Sequence, residues 1–122
     1  MGPEGDSFFA GKSITHEQIN NAYFMAMESM GHLNRDCASL MRRFSARGAT
    51  DVTGFGILGH AENLAAAQVE EVDLILNALP ILEAMDKPVD GMHDFKVTGG
   101  YSAETSGGLL IMLDSSKAKD FM

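Results

Sequence analysis

Near the middle of the chain, a strand-like segment passes through a glycine turn directly into a helix-like segment. The strand candidate is "RGATDV" at residues 47–52, and the helix candidate is "ILGHAENLAAAQ" at 57–68, whose apolar residues recur at helical spacing. Gly54 and Gly56 lie between them and favour a tight connection. The fold must therefore join a strand to a helix across a short turn, with the carboxylate of Asp51 at the end of the strand.

Two helices are predicted before this unit. Thr15 and Gln18 form a capping-box pattern at the start of the first helix, over 15–31. Asn34 could cap the second helix, over 35–46. The apolar or small residues that define one face of the first helix, at alternating steps of four and three, are Ile19, Tyr23, Ala26, Met30 and Leu33.

Further elements follow the turn, and a glycine-rich arm at residues 1–14 precedes the first helix. The later elements are predicted to be a strand at 70–78, a helix from Pro80 to about Met85, a loop at 86–101, a buried strand within "GGLLIMLD" and a helix from Ser115 or Ser116. Because strands and helices alternate only loosely, we expect an α+β fold with a mixed sheet covered by helices. The last helix has hardly begun at Met122, which favours a piece of a longer domain.

Length and charge limit the classes of function. The chain has 122 residues, enough for one domain, and a formal net charge of -8. Phosphate backbones and anionic membranes are held mainly by Lys and Arg, so we expect no nucleic-acid or membrane partner. The one cysteine, Cys37, fits a reducing compartment and is predicted to be a buried structural thiol. We therefore expect a cytosolic protein.

The first glycine turn has two interpretations. Backbone N–H groups in such a turn, with the positive end of the following helix, can bind phosphate. A carboxylate beside phosphate is repulsive unless Mg2+ lies between them, so Asp51 is a candidate ligand, although one carboxylate does not make a whole site. In the alternative, this is an ordinary turn in which Asp51 or Thr53 caps the helix. If Gly54 has a positive φ, the substitution Gly54→Ala should be poorly tolerated.

A second glycine turn, "ETSGGLL" at residues 104–110, precedes the last strand. It could lie beside the first turn and supply hydroxyl or backbone donors, or it could simply be a sharp entry into a core strand. The four histidines show no metal-ligand spacing. His60, on the helix after the first turn, could approach an anion or could serve only in packing or at the surface.

The segments "ATDVTGFGILGHAENLA" and "ETSGGLLI" closely resemble the C-terminal domain of the selenophosphate synthetases (selenide, water dikinases). The preceding segment "AYFMAMESMGHLNRDCASLM" is similar to the helix of that family that carries an "LNR" motif. The resemblance covers about residues 15–120. It implies the C-terminal domain type of the aminoimidazole ribonucleotide synthetase-like superfamily, here truncated and without the N-terminal ATP-binding domain.

The resemblance also implies an activity for the longer parent protein. Such enzymes convert ATP, selenide and water to selenophosphate, AMP and phosphate for selenocysteine biosynthesis, usually as homodimers with ATP between two domains. By resemblance, Asp51 is a Mg2+ ligand, and this chain holds no catalytic residue and is inactive by itself. Residues expected to face ATP or its phosphates are Thr53, Gly54, Gly56, Thr105, Ser106 and Gly107. The rival hypothesis is a non-catalytic homologue that acts as a binding or regulatory subunit.

Overall fold

The computed structural model describes residues 14–83, 85 and 95–122. Within these residues the elements are α1 (His16–Gly31), α2 (Arg35–Arg43), β1 (Gly48–Asp51), α3 (Gly56–Ala66), a 3-10 helix (Val97–Gly99), β2 (Leu109–Met112) and α4 (Ser115–Phe121). The arm predicted at 1–14, except for Ile14, and most of the loop predicted at 86–101 lie outside the described residues. The α+β class is confirmed.

Helix α1 begins at the predicted capping box. The backbone N–H of Gln18 donates to Oγ1 of Thr15 (3.2 Å), and the backbone N–H of Thr15 donates to Oε1 of Gln18 (3.0 Å). These reciprocal bonds satisfy two donors, one of them an N–H of the first turn that has no partner within the helix. The start of α1 is therefore determined locally by its sequence.

The face of α1 that the apolar spacing marks as a packing surface is largely exposed. Tyr23 is 54% exposed and Leu33, just beyond the helix, is 78% exposed, whereas Ala22 is the buried residue of the helix. The periodicity predicted the helix correctly, but the described residues supply little that covers its apolar side. In the described part of the chain, no helix combines the length and apolar character needed to cross a bilayer.

Helix α2 ends earlier than predicted, at Arg43, because a Schellman motif closes it. Ser45 has a left-handed backbone (φ 56°), the N–H of Ala46 donates to the carbonyl of Met41 (2.8 Å), and the N–H of Ser45 donates to that of Arg42 (3.2 Å). Cys37, on the same helix, is a free thiol that is half-buried rather than buried.

Strands β1 and β2 pair antiparallel, with Gly48 opposite Met112 and Asp51 opposite Leu109. These are the two strands found in the described residues, and the sheet they form is antiparallel. The predicted mixed sheet is not observed in this part of the chain. Because antiparallel strands run in opposite directions, the end of β1 meets the beginning of β2. This register brings the glycine turn after β1 next to the one before β2.

Two predicted elements are wrong. Residues 70–78 form no strand, and the described residues between Pro80 and Met85 form no helix, although the N–H of Met85 donates to the carbonyl of Leu82 (3.0 Å). Leu74 and Leu76 are half-buried and Ile75 is exposed, so the alternation that predicted the strand does exist. A strand also needs a ladder of hydrogen bonds to a neighbour, and the described residues provide none at 70–78.

The buried side chains lie around the first glycine turn and α3. They are Val52 at the turn and His60, Ala61 and Leu64 on α3, and the buried Ala22 lies apart from them in sequence, on α1. Helix α3 also packs on β1. The best-packed part of the described chain therefore supports the turn that joins β1 to α3.

Candidate functional site

The two glycine turns meet at the end of the β ladder. The backbone N–H of Val52 donates to the carbonyl of Gly108 (3.0 Å), which extends the pairing one residue beyond β1. The backbone N–H of Glu104 donates to the carbonyl of Thr53 (2.9 Å). Of the two alternatives left open for the second turn, the structure shows the one in which it lies beside the first turn, although this does not test whether it supplies donors to a ligand.

Gly107 shows how closely the two turns approach each other. A Cβ atom at this position would lie 2.1 Å from the carbonyl oxygen of Val52 and 2.7 Å from Oε2 of Glu104. The neighbour at 2.1 Å is backbone, which cannot move aside as a flexible side chain can. The preceding residue, Ser106, has a left-handed backbone (φ 52°), which is uncommon for a residue with a side chain. The "SGG" segment is thus shaped by contact with the first turn.

Asn34 connects the second turn to the helices. Its Nδ2 donates to the carbonyl of Gly107 (3.0 Å), a partly buried bond across 73 positions of sequence. Asn34 occupies the N-cap position of α2, but its side chain makes no capping bond there. The predicted capping role is therefore wrong, and the side chain ties the α1–α2 connection to the second turn instead.

Gly56 is the conformationally demanding glycine of the first turn. It has a φ of 68°, and a Cβ atom there would lie 2.6 Å from the carbonyl carbon of Tyr101. Gly54 does not have a positive φ, and a Cβ atom there would meet nothing within 4 Å. The condition set for Gly54 is therefore not met, and the positive φ occurs at Gly56, where α3 begins with its backbone against residues 100–102.

Several N–H groups at the start of α3 have partners within the chain. Gly56 donates to the carbonyl of Thr53 (3.1 Å), and Leu58 donates to the carbonyl of Gly100 (2.9 Å). The N–H groups of Gly54, Phe55 and Ile57 make no hydrogen bond to another described residue. An anion at this turn would therefore find its donors among these three groups, since the Gly56 N–H is already engaged.

Asp51 is exposed at the end of β1. The N-cap residue of α3 is Phe55, and no side chain makes a capping bond to that helix. The alternative in which Asp51 or Thr53 caps the helix is therefore wrong. The Asp51 carboxylate has no described hydrogen-bond donor to neutralise it and remains available to a ligand.

The donor set fits part of a magnesium site. Mg2+ commonly uses one or two protein carboxylates and completes its shell with phosphate oxygens and water. Within the described residues there is no group of three or more His, Cys, Asp or Glu side chains that could hold a metal ion. Asp51 supplies one suitable carboxylate, so further ligands would have to come from phosphate, water or other protein residues.

Glu104 is a second carboxylate at the junction of the turns, which our sequence-based site did not include. Partial burial is the main influence on the Glu104 carboxyl and raises its pKa. The sequence feature that could have identified Glu104 as a site residue is its position directly before "TSGG".

A cavity of about 550 Å3 lies beside the second turn. Its walls come from α1, the start of α3, residues 79–82, Met85 and the second turn, and include Met30, Ile57, Leu79, Thr105 and Gly107. Two of the predicted phosphate-facing residues, Thr105 and Gly107, therefore line it. Asp51, Thr53 and Gly54 do not. The phosphate-facing roles of all six residues stay predictions.

The sequence profile of the family described as AIR synthase related protein, C-terminal domain, matches residues 2–122. The chain belongs to this family. It is 46% identical over 110 residues to "Probable selenide, water dikinase" of Caenorhabditis elegans, covering 86% of this chain and 29% of that protein. It is 46% identical over 108 residues to "Selenide, water dikinase 2" of Homo sapiens, covering 88% of this chain and 24% of that protein.

A third relative is "Selenide, water dikinase" of Leishmania major, 48% identical over 111 residues, covering 86% of this chain and 28% of that protein. The resemblance to the C-terminal domain of the selenophosphate synthetases, based on the two glycine-turn motifs and the "LNR" helix, is confirmed by these matches. The chain spans between 24% and 29% of the length of these three relatives.

Proposed function

We propose that this chain is part of an ATP-dependent enzyme that forms selenophosphate from selenide, with release of AMP and phosphate. The names of relatives that are 46% to 48% identical over most of the chain support this activity. Those relatives are several times longer, so the activity is proposed for a full-length protein of which this chain forms the truncated C-terminal domain. In that proposal, residues 15–122 carry one side of the ATP site, and the 122-residue chain is inactive by itself.

The observation that carries the proposal is an exposed carboxylate at the point where two glycine turns meet. Asp51 is the last residue of a paired strand, and the next residue, Val52, is buried and hydrogen-bonded to the second turn. Gly54, Phe55 and Ile57, whose N–H groups have no described partner, follow Asp51 within six positions of the chain. Phosphoryl transfer uses such a combination, because a metal ion held by a carboxylate and N–H donors together stabilise phosphate charge.

In this proposal Asp51 is a Mg2+ ligand. The N–H groups of Gly54, Phe55 and Ile57 are the donors available to phosphate oxygens. When bound, Mg2+ would neutralise charge on the phosphates of ATP. The side chains of this chain orient and bind, and the groups that attack or transfer protons belong to the rest of the full-length protein. We further propose a cytosolic homodimer, with ATP and selenide as substrates and no nucleic-acid or membrane partner.

Phosphorus NMR on the full-length protein with ATP, Mg2+ and selenide tests the proposed activity. We expect a selenophosphate resonance together with AMP and orthophosphate, and none of the three products to accumulate from the 122-residue chain alone. A sample without selenide is the control for simple ATP hydrolysis. If ATP persists with selenide while the protein is folded, the chain instead belongs to a non-catalytic binding or regulatory homologue.

A further inference from the structure

His60 is the buried polar side chain of the described residues, at 8% exposure. It lies on α3, one turn from the helix start, while the described histidines His16 and His32 are exposed. A buried imidazole is costly unless its nitrogen atoms have hydrogen-bond partners. Its surroundings therefore indicate what it does.

The ring of His60 points back to the strand end. The backbone N–H of Thr53 donates to Nε2 of His60 (2.9 Å), and Oγ1 of Thr53 lies 3.2 Å from the same nitrogen. A backbone N–H can only donate, so Nε2 is the acceptor, and the ring proton of the neutral imidazole is on Nδ1. Protonation of Nε2 would remove the acceptor and place two N–H groups against each other.

This bond completes the anchoring of Thr53. The carbonyl of Thr53 accepts from the N–H groups of Gly56 (3.1 Å) and Glu104 (2.9 Å), so all its backbone polar groups are engaged. Two of its three backbone bonds come from α3 and one from the second turn. Thr53 is only two residues beyond Asp51, and Val52 between them is buried. Fixing Thr53 and Val52 leaves the backbone of Asp51 little freedom.

We infer that His60 is a positioning residue, which holds the Asp51–Thr53 segment in the geometry that metal-bound phosphate requires. The inference rests on the proposed function. His60 does not touch the reacting atoms in this role, and its effect passes through the Thr53 N–H. Residues that orient metal ligands commonly affect activity or metal affinity by roughly 10- to 100-fold.

The substitutions His60→Gln and His60→Leu, made in the full-length protein, separate this role from simple packing. The Gln amide oxygen can accept from the Thr53 N–H at about the reach of Nε2, whereas Leu fills space without an acceptor. We expect His60→Leu to lower kcat roughly 10- to 100-fold and to raise the Mg2+ concentration for half-maximal rate. In His60→Gln we expect both kcat and the Mg2+ concentration for half-maximal rate to return most of the way to the wild-type values. In both variants KM for ATP should change less than kcat.

An equal loss of kcat in the two variants, or an unchanged kcat in His60→Leu, would overturn the inference. Nitrogen-15 NMR of the wild-type imidazole supplies a test that needs neither variant folding nor activity. We expect His60 to carry its proton on Nδ1, with the Thr53 amide protected from hydrogen exchange. A proton on Nε2, or a rapidly exchanging Thr53 amide, would contradict the hydrogen bond itself.

The same assays distinguish failure of this inference from failure of the proposed function. If the wild-type protein forms no selenophosphate, the proposed function fails, while the NMR result still decides whether His60 anchors Thr53. If the wild type is active and His60→Leu is equally active, the proposed function stands and the positioning role falls.

Discussion

At Gly56, a left-handed backbone coincides with close packing against another part of the chain. An alanine Cβ would lie 2.6 Å from the carbonyl carbon of Tyr101 and 2.7 Å from the carbonyl oxygen of Ser102. The left-handed conformation alone costs a non-glycine residue roughly 1–2 kcal/mol. We expect Gly56→Ala to lower the free energy of unfolding by at least about 2 kcal/mol, measured by urea denaturation.

Gly54→Ala is the matched control for this prediction. The same methyl group is added two residues earlier, where no atom lies within 4 Å and φ is not positive. We expect a change within about 0.5 kcal/mol, or a slight gain from the less flexible unfolded chain. Equal destabilisation by the two substitutions would contradict this description of the turn.

For single residues, the sequence identified the two glycine turns but did not decide whether they meet or how each residue is used. The contact between "TDVTGFG" and "TSGG" was one of two open alternatives, and the structure shows it. Gly54 and Gly56 look alike in sequence, and only the contact with residues 100–102 distinguishes them. The bonds made by Asn34 and His60 depend on the tertiary approach of separate elements, which local pattern does not encode.

The hydrogen bond from Asn34 links the start of α2 to the second turn, and a substitution can test this link between elements. Asn34→Ala removes the Nδ2 donor from the carbonyl of Gly107, and a typical hydrogen bond contributes about 1 kcal/mol. We expect a loss of about that size in urea denaturation, with faster amide exchange at residues 104–108. Ser39→Ala, which removes a local and exposed bond to the carbonyl of Arg35, should change neither. Unchanged exchange in Asn34→Ala would contradict the link.

Helix α4 should depend on pH through its cap. Asp114 accepts from the N–H and the hydroxyl of Ser116, and these bonds, with smaller contributions from Arg47 and Lys117, lower the pKa of its carboxyl. Because the folded pKa is lowered, this stabilisation is present above the ordinary pKa and is lost as pH falls through the lowered value. We expect the Ser116 amide to lose protection from exchange below about pH 4.

Asp114→Asn is the control for the pH effect. The amide oxygen can still accept from the Ser116 N–H but does not titrate. We expect α4 in this variant to lack the acid-dependent change. A wild-type helix whose exchange is unaffected by acid would contradict the capping role.

Local signals explain which elements were predictable. The capping box of α1 and the helical spacing of α3 act within a few residues, whereas the Schellman motif that ends α2 at Arg43 was not predicted. The segment at 70–78 shows the limit of such signals, because alternation predicts a strand only if a partner strand is present. Its leucines alternate in exposure with Ile75, yet no ladder forms there among the described residues.

At the scale of the whole molecule, packing is concentrated where the chemistry is proposed. The buried residues of the first turn and α3 support the Asp51–Thr53 segment, whereas the aromatic residues of α1 stay exposed, with Phe24 at 66%. The distribution fits a chain that supplies one side of a larger active site. With this arrangement, the proposed function predicts that Asp51 matters greatly for turnover and little for folding.

The most direct test is the rate of selenophosphate formation, followed by phosphorus NMR, in the full-length protein with Asp51→Asn or Asp73→Asn. Both substitutions remove one exposed carboxylate charge, but only the first lies at the junction of the turns. We expect Asp51→Asn to lower the rate at least roughly 100-fold, with the free energy of unfolding changed by no more than about 0.5 kcal/mol, and Asp73→Asn to alter neither. Wild-type turnover in a folded Asp51→Asn protein would contradict the account.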